Sequence, residues 1–201
     1  MNWFKSLVLT SVLVLAACIS IAPTPILIGD LVEQNNQVVA LYTDCSEGAN
    51  YVPTKEGCEP EVLEQQALST MDLATTFISA DIKQPQGYDI YLATAMIYFR
   101  IGERNTNEYT RAEQIARQFF ETQKATSGRA IHTARFYWAA LTAAHAAWQW
   151  NNDRFALNAE RKTDLLLCLA EGRQAELDDG ARRIRLLQYL EVIEAIIAAI
   201  D

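Results

Sequence analysis

The hydrophobic positions in the second half of the chain recur every three or four residues, which is the spacing of one face of an α-helix. The stretch 109–124 is the clearest case, because its apolar side chains form one stripe and charged side chains fall between them. Its stripe consists of Tyr109, Ala112, Ile115, Ala116, Phe119 and Phe120. Glu113 and Arg117 stand four residues apart and are expected to form an ion pair outside the stripe.

The same spacing predicts further helices over 88–101, 129–150, 153–170 and about 180–200. Gly102, Gly128 and Gly172 mark ends of these segments. Pro60 fits the first turn of a helix over 61–80, and the stretch 26–42 is a less regular helix because polar residues interrupt it at 34–37. No stretch shows sustained alternation with β-branched residues. The sequence predicts an all-α protein.

Two cysteines bracket a loop between the first two helices. Gly48, Pro53 and Gly57 break any periodicity between Cys45 and Cys58, and the loop contains no His that would complete a metal site. A disulfide between Cys45 and Cys58 is therefore favoured over two free thiols, provided that the protein is exported. Cys168 lies inside an apolar helical run and is expected to be a buried thiol.

Composition limits the partners. The 201 residues suffice for one domain with a sizeable core, and half of them are hydrophobic. Gly and Pro are few, with 8 and 5 residues, which argues against disorder. A net charge of −8 disfavours nucleic acid as a partner, because phosphate backbones require clustered Lys and Arg.

The N-terminal segment has the features of an export signal. An apolar run over 7–15 follows Lys5, is too short to span a bilayer, and ends in Leu15-Ala16-Ala17-Cys18. This string resembles the lipobox of bacterial lipoproteins. The resemblance implies cleavage before Cys18, acyl chains on Cys18 and a membrane anchor through that lipid. An ordinary signal peptide or an anchoring first helix are the alternatives.

The lipobox resemblance divides the chain into a signal peptide over 1–17, a lipidated tether over 18–25 and one α-helical domain over 26–201. It places the protein in the bacterial cell envelope. The residue after the lipidated cysteine is Ile19. An Asp at that position would resemble an inner-membrane retention signal, and this chain lacks it there. The expected location in a Gram-negative bacterium is therefore the outer membrane, facing the periplasm.

Two stretches have related patterns, each with an aromatic and a small residue before a polar turn and again after it. Tyr98 and Gly102 followed by Tyr109, Ala112 and Ala116 resemble a tetratricopeptide repeat. The second copy has Asn151 and Asn152 in place of the glycine. The resemblance implies antiparallel helix hairpins stacked as a right-handed α-solenoid. An antiparallel bundle is the alternative.

Candidate catalytic or metal-binding groups are scarce. His132 and His145 are thirteen residues apart on one predicted helix, so they lie on nearly opposite faces and do not share a metal. The sequence has no Gly-rich phosphate loop and no nucleophile motif. We therefore expect no enzyme, no cofactor and no metal site, with His145 as a packed core residue.

Aromatic residues are concentrated in the fifth predicted helix, over 129–150. Tyr137, Trp138, Trp148 and Trp150 cannot all be hidden by one neighbouring helix. They either pack on both sides in the core or line a binding groove. The groove interpretation gives one function hypothesis, a lipoprotein that binds a small ligand, for example beside a transporter.

The last predicted helix is unusually apolar for the end of a helical stack. After Glu194 no polar residue occurs before Asp201. The isoleucines of this end of the helix are Ile193, Ile196, Ile197 and Ile200. They form either an interface, with a second copy or a partner protein, or a core face folded back onto the N-terminal helices. The leading function hypothesis is a lipid-anchored helical-repeat scaffold that binds another envelope protein or assists assembly of an envelope machine.

Overall fold

The computed structural model describes residues 28–47, 50–81, 84–101, 106–152 and 159–200. The signal peptide and the whole tether, including Cys18, lie outside these residues, as do Gly102 and Asp153, at which a helix end and a helix start were predicted. The described helices are α1 (Ile28–Asp44), α2 (Pro60–Ala80), α3 (Pro85–Ile101), α4 (Thr106–Gln123), α5 (Arg129–Asn151), α6 (Ala159–Gly172) and α7 (Gly180–Ile200). The all-α prediction is confirmed.

Local sequence explains several helix ends. Pro60 is the first residue of α2, where its missing N–H costs nothing. Gly128 precedes α5 with φ 82°, a backbone conformation that favours glycine. Asp179 caps α7, because its Oδ1 accepts a hydrogen bond of 2.8 Å from the backbone N–H of Ala181.

The helices form two layers. The odd-numbered helices lie side by side, with α3 touching α1 and α5, and α5 touching α7. Each even-numbered helix packs across two neighbouring odd ones: α2 on α1 and α3, α4 on α3 and α5, α6 on α5 and α7. This alternation is typical of stacked helix pairs in repeat proteins. The handedness of the stack stays a prediction.

The core is rich in aromatic side chains from α3, α4 and α5. Tyr88 stacks on Phe119 with ring centroids 5.0 Å apart, and Phe120 stacks on Trp138 at 4.8 Å. All four side chains are buried. At the other end of the core a glycine allows a close approach: a Cβ added at Gly172 of α6 would lie 2.6 Å from Leu190 of α7.

The loop after α1 is closed by the predicted disulfide. Cys45 and Cys58 are joined, and the chain between them forms a small antiparallel pair of strands, β1 (Ser46–Glu47) and β2 (Asn50–Tyr51). The hydroxyl of Tyr51 donates a hydrogen bond of 2.6 Å to the carbonyl of Cys58. Cys168 is a free thiol and is buried, in agreement with its predicted role.

The last helix packs against α5 and α6. Ile193, Ile196 and Ile197 are buried there, and Ile200 is partly buried against the same core. The exposed apolar side chains of α7 are instead Ile184, Leu187 and Val192. None of the described helices is both long and apolar enough to cross a membrane.

Candidate functional site

One candidate surface of the described residues lies where α3, α5 and α7 converge. α5 and α7 run in the same direction, because Arg182 lies over the ring of Tyr137 near their N-terminal ends, and Tyr189 meets Ala144 further along both. The surface has an apolar part toward the C-terminal ends of the helices and a charged part toward their N-terminal ends.

The apolar part consists of two adjoining hollows of about 150 Å³ and 350 Å³. Ala140, Ala144 and Ala147 of α5 recur every three or four residues and form a low floor. Larger side chains from the neighbouring helices form the walls. We call this surface the apolar furrow, and its residues are Met96, Phe99, Arg100, Tyr109, Ala140, Leu141, Ala144, Ala147, Trp148, Asn151, Asn152 and Tyr189.

Arg100 lies at the edge of the furrow and connects three helices. Its side chain hydrogen-bonds Tyr42 of α1 and Tyr189 of α7. Ala140 and Ala144 of α5 line the same hollow as Arg100 and Tyr189. With Tyr109 in the adjoining hollow, the furrow is a feature of four packed helices, α3, α4, α5 and α7.

The charged part consists of two hollows of about 380 Å³ and 400 Å³ that share Arg129, Thr133 and Arg182. We call it the charged cleft. Its cations come from the first turns of α5 and α7, and its carboxylates come from α3 and from the loop before α7. The residues that line it are Pro85, Asp89, Phe119, Gly128, Arg129, Ala130, His132, Thr133, Tyr137, Glu176, Leu177, Asp178, Asp179 and Arg182.

Asp89 faces both arginines of the cleft. Partial desolvation raises the pKa of its carboxyl, and the charges of Arg182 and Arg129 oppose that shift. Arg182 lies 4.7 Å above the ring of Phe136 as well as over Tyr137, which are cation–π contacts. Burial raises the pKa of Tyr137 to about 12, so its hydroxyl stays protonated and remains a hydrogen-bond donor.

His132 is fixed by the backbone beside it. Its Nδ1 accepts a hydrogen bond of 3.0 Å from the N–H of Glu176. An accepting Nδ1 requires that the neutral imidazole carries its proton on Nε2. This hydrogen bond joins α5 to the loop before α7 at one wall of the cleft.

A third cluster is largely buried and joins α4, α5 and α6. Glu113 Oε2 is 2.5 Å from His145 Nδ1, and Glu113 Oε1 accepts hydrogen bonds from Arg161 Nη1 at 2.6 Å and from Thr142 Oγ1 at 3.1 Å. Burial acts to raise the pKa of Glu113, but the hydrogen bonds from His145 and Arg161 outweigh it and leave that pKa below its usual value. The cluster opens into none of the hollows above, so its evident role is to hold three helices together.

The expected ion pair between Glu113 and Arg117 does not form. Glu113 turns inward, and Arg117 pairs with Asp164 of α6 at 3.0 Å. The sequence contained a signal for this: Glu113 is four residues after Tyr109 and three before Ala116, so it falls on the apolar stripe itself. His145 is buried, as expected.

The structure does not bring the four predicted groove aromatics together. Trp138 is in the core against Phe120, and Tyr137 lines the charged cleft. Trp148 packs on Tyr109 with ring centroids 5.4 Å apart and lines the apolar furrow. Trp150 is exposed. Tyr137 and Trp148 share one side of α5 but are separated by about 16 Å along its axis.

Within the described ranges no group of three or more His, Cys, Asp or Glu side chains is placed to hold a metal ion. No family model, curated protein or solved structure matches the chain.

Proposed function

We propose that this protein is a lipid-anchored scaffold of the bacterial cell envelope that binds another envelope protein through the apolar furrow. The observation that carries the proposal is the furrow itself. An alanine floor flanked by the aromatic side chains of Phe99, Tyr109, Trp148 and Tyr189 forms an apolar depression between α3, α4, α5 and α7. Surfaces of this kind accept apolar side chains of a partner segment.

The partner is a protein and not a membrane surface. Apolar membrane-binding faces are convex and reach into the lipid, whereas the furrow is a depression between helices. Its rim carries Arg100, Asn151 and Asn152, which supply hydrogen-bond donors beside the apolar floor. An apolar centre with a polar rim is the usual composition of a protein-binding surface.

The lipid sets where this surface works. Ten residue steps separate Cys18 from the start of α1 at Ile28, which spans at most about 35 Å when extended. A lipidated Cys18 therefore keeps the domain within that distance of the membrane. A partner in the same envelope layer is within its reach.

The experiment is site-specific photo-crosslinking in the native bacterium. A photoreactive amino acid at position 147 places the probe in the furrow, and the same probe at Gln118 of α4 serves as control, because Gln118 is exposed on the other layer. We expect a discrete adduct with an envelope protein from position 147 and none from position 118.

A blocking variant makes the test specific. Ala144→Trp fills the furrow between its two hollows and should abolish the adduct from position 147. Ala198→Trp adds the same side chain at an exposed position of α7 and should leave the adduct unchanged. An adduct that survives Ala144→Trp, or the absence of any adduct at position 147, would contradict the proposal.

A further inference from the structure

The charged cleft contains three charged side chains that are close but not paired. No hydrogen bond or ion pair joins the side chain of Asp89, Arg129 or Arg182 to any other described residue, and Arg182 makes only its ring contacts. Asp89 nevertheless lies near enough to both arginines to feel their charge. An open cavity with opposite charges on its walls has room for a ligand that carries both signs.

We propose that the charged cleft binds a free cationic α-amino acid of the lysine or arginine type. The α-carboxylate is held by the guanidinium groups of Arg129 and Arg182, whose fork geometry suits a carboxylate. The α-ammonium is held by the carboxylate of Asp89. Thr133 and Tyr137 add hydroxyl groups to the same wall.

The sign of the ligand's side chain follows from the rest of the cleft. Glu176, Asp178 and Asp179 line the adjoining hollow, which shares Arg129, Thr133 and Arg182 with the first. A side-chain cation extending from the α-carbon reaches toward these three carboxylates. An acidic side chain would meet them with like charge, and a purely apolar one would supply no counter-charge to them.

This site is separate from the proposed function, since no residue of the charged cleft lines the apolar furrow. A scaffold that captures no partner would leave the amino-acid site untouched. Equally, a cleft that binds no amino acid would not affect crosslinking in the furrow.

Isothermal titration calorimetry on the full chain in detergent tests the proposal with L-lysine as the probe. Two analogues test each end of the ligand without changing the protein: Nα-acetyl-L-lysine lacks the α-ammonium, and L-lysinamide lacks the carboxylate. We expect saturable binding of L-lysine with one site, and about a tenfold or greater loss of affinity for each analogue. L-Leucine and L-glutamate should bind more weakly still.

Two variants assign the contacts. Asp89→Asn should weaken L-lysine about tenfold but leave the affinity for Nα-acetyl-L-lysine unchanged, because that analogue has already lost the contact. Arg182→Gln should likewise weaken L-lysine but not L-lysinamide. Arg185→Gln, an exposed arginine on the same helix that does not line the cleft, is the matched control and should bind like the parent.

The proposal would be overturned if neither L-lysine nor L-arginine bound saturably up to about 10 mM. Equal binding of L-lysine and L-leucine, or L-lysine binding that Asp89→Asn leaves intact, would also overturn it. Equal affinity for L-lysine and Nα-acetyl-L-lysine would also overturn it and would point to the C-terminus of a peptide as the occupant.

Discussion

Glu113 on α4 and His145 on α5 are joined by a contact of 2.5 Å in the interior, where their side chains are 13 % and 6 % exposed. Arg161 from α6 completes the group, so three helices meet at one carboxylate. Removing one member of such a group leaves the others buried and without a counter-charge, which costs far more than the loss of a surface ion pair.

We therefore expect Glu113→Gln to lower the free energy of unfolding by about 3 to 5 kcal/mol, because Arg161 loses its charged partner inside the protein. Urea denaturation followed by circular dichroism measures the change. The matched control is Glu121→Gln on the same helix, whose ion pair with Lys124 is on the surface. It should cost less than about 1 kcal/mol. Equal effects of the two substitutions would show that the internal cluster is not what holds α4, α5 and α6.

The same carboxylate gives a pH dependence with a definite sign. The pKa of Glu113 is lower in the folded protein than its ordinary value of 4.5. Its contribution to stability is complete above the unfolded pKa and is lost as the pH falls through the folded pKa. The difference in unfolding free energy between the parent and Glu113→Gln should therefore shrink below about pH 4.5. A difference that stays constant or grows in acid would contradict the assignment.

Cys168 is expected to be inert in the folded protein. Burial raises the pKa of its thiol to about 12, so almost no thiolate exists at neutral pH. A water-soluble thiol reagent should not label native protein, and should label one cysteine once urea is added without reductant, since Cys45 and Cys58 are paired and Cys18 is expected to carry lipid. Fast labelling of native protein would mean that α6 opens readily.

The last helix offers a direct comparison of two faces. Ile196 is buried and Ile200 partly so, whereas Ile184 and Leu187 are 61 % and 55 % exposed. The double substitution of Ile196 and Ile200 by Ser should cost several kcal/mol and lower the melting temperature, because a hydroxyl replaces packed methylene groups. The double substitution of Ile184 and Leu187 by Ser should leave the melting temperature within a few degrees of that of the parent. If the variant with Ser at positions 196 and 200 melts like the parent but loses self-association, the two isoleucines form an interface instead.

The lipid anchor is tested by Cys18→Ser. Without the thiol no lipid can be attached, so we expect an uncleaved precursor that incorporates no radiolabelled fatty acid. Detergent partitioning and mass spectrometry of the N-terminus give the readout. If the Ser variant is cleaved and still partitions like the parent, the protein uses another route to the membrane.

The fate of individual residues shows how far the sequence alone could lead. The starts of α2 and α5 were predictable because Pro60 and Gly128 restrict or permit backbone conformations locally. The disulfide was predictable because only thirteen residues separate its cysteines.

The inward turn of Glu113 was not predictable, because its partners His145 and Arg161 lie 32 and 48 residues away and local charge spacing favoured Arg117. The four aromatic residues of α5 failed to form one groove for a similar reason. The geometry of α5 fixes the direction of each aromatic side chain, but the packing of α4, α6 and α7 determines which of these side chains are covered.

The charged cleft was also beyond local pattern. Asp89, Arg129 and Arg182 belong to three helices that are far apart in sequence, and their approach depends on how α3, α5 and α7 stack. Each of these residues alone resembles an ordinary solvated charge at the beginning of a helix.

The alanine floor of the furrow has a consequence for the strength of binding. Ala140, Ala144 and Ala147 have no side-chain rotamers to lose, and the aromatic walls have only two rotatable bonds each. A partner segment that docks there loses its own conformational freedom, but the surface that receives it loses little. Even a short stretch of partner chain can therefore be held. A single substitution that adds a flexible side chain to the floor should weaken binding for two reasons: the new side chain fills space, and it loses conformational entropy when the partner docks.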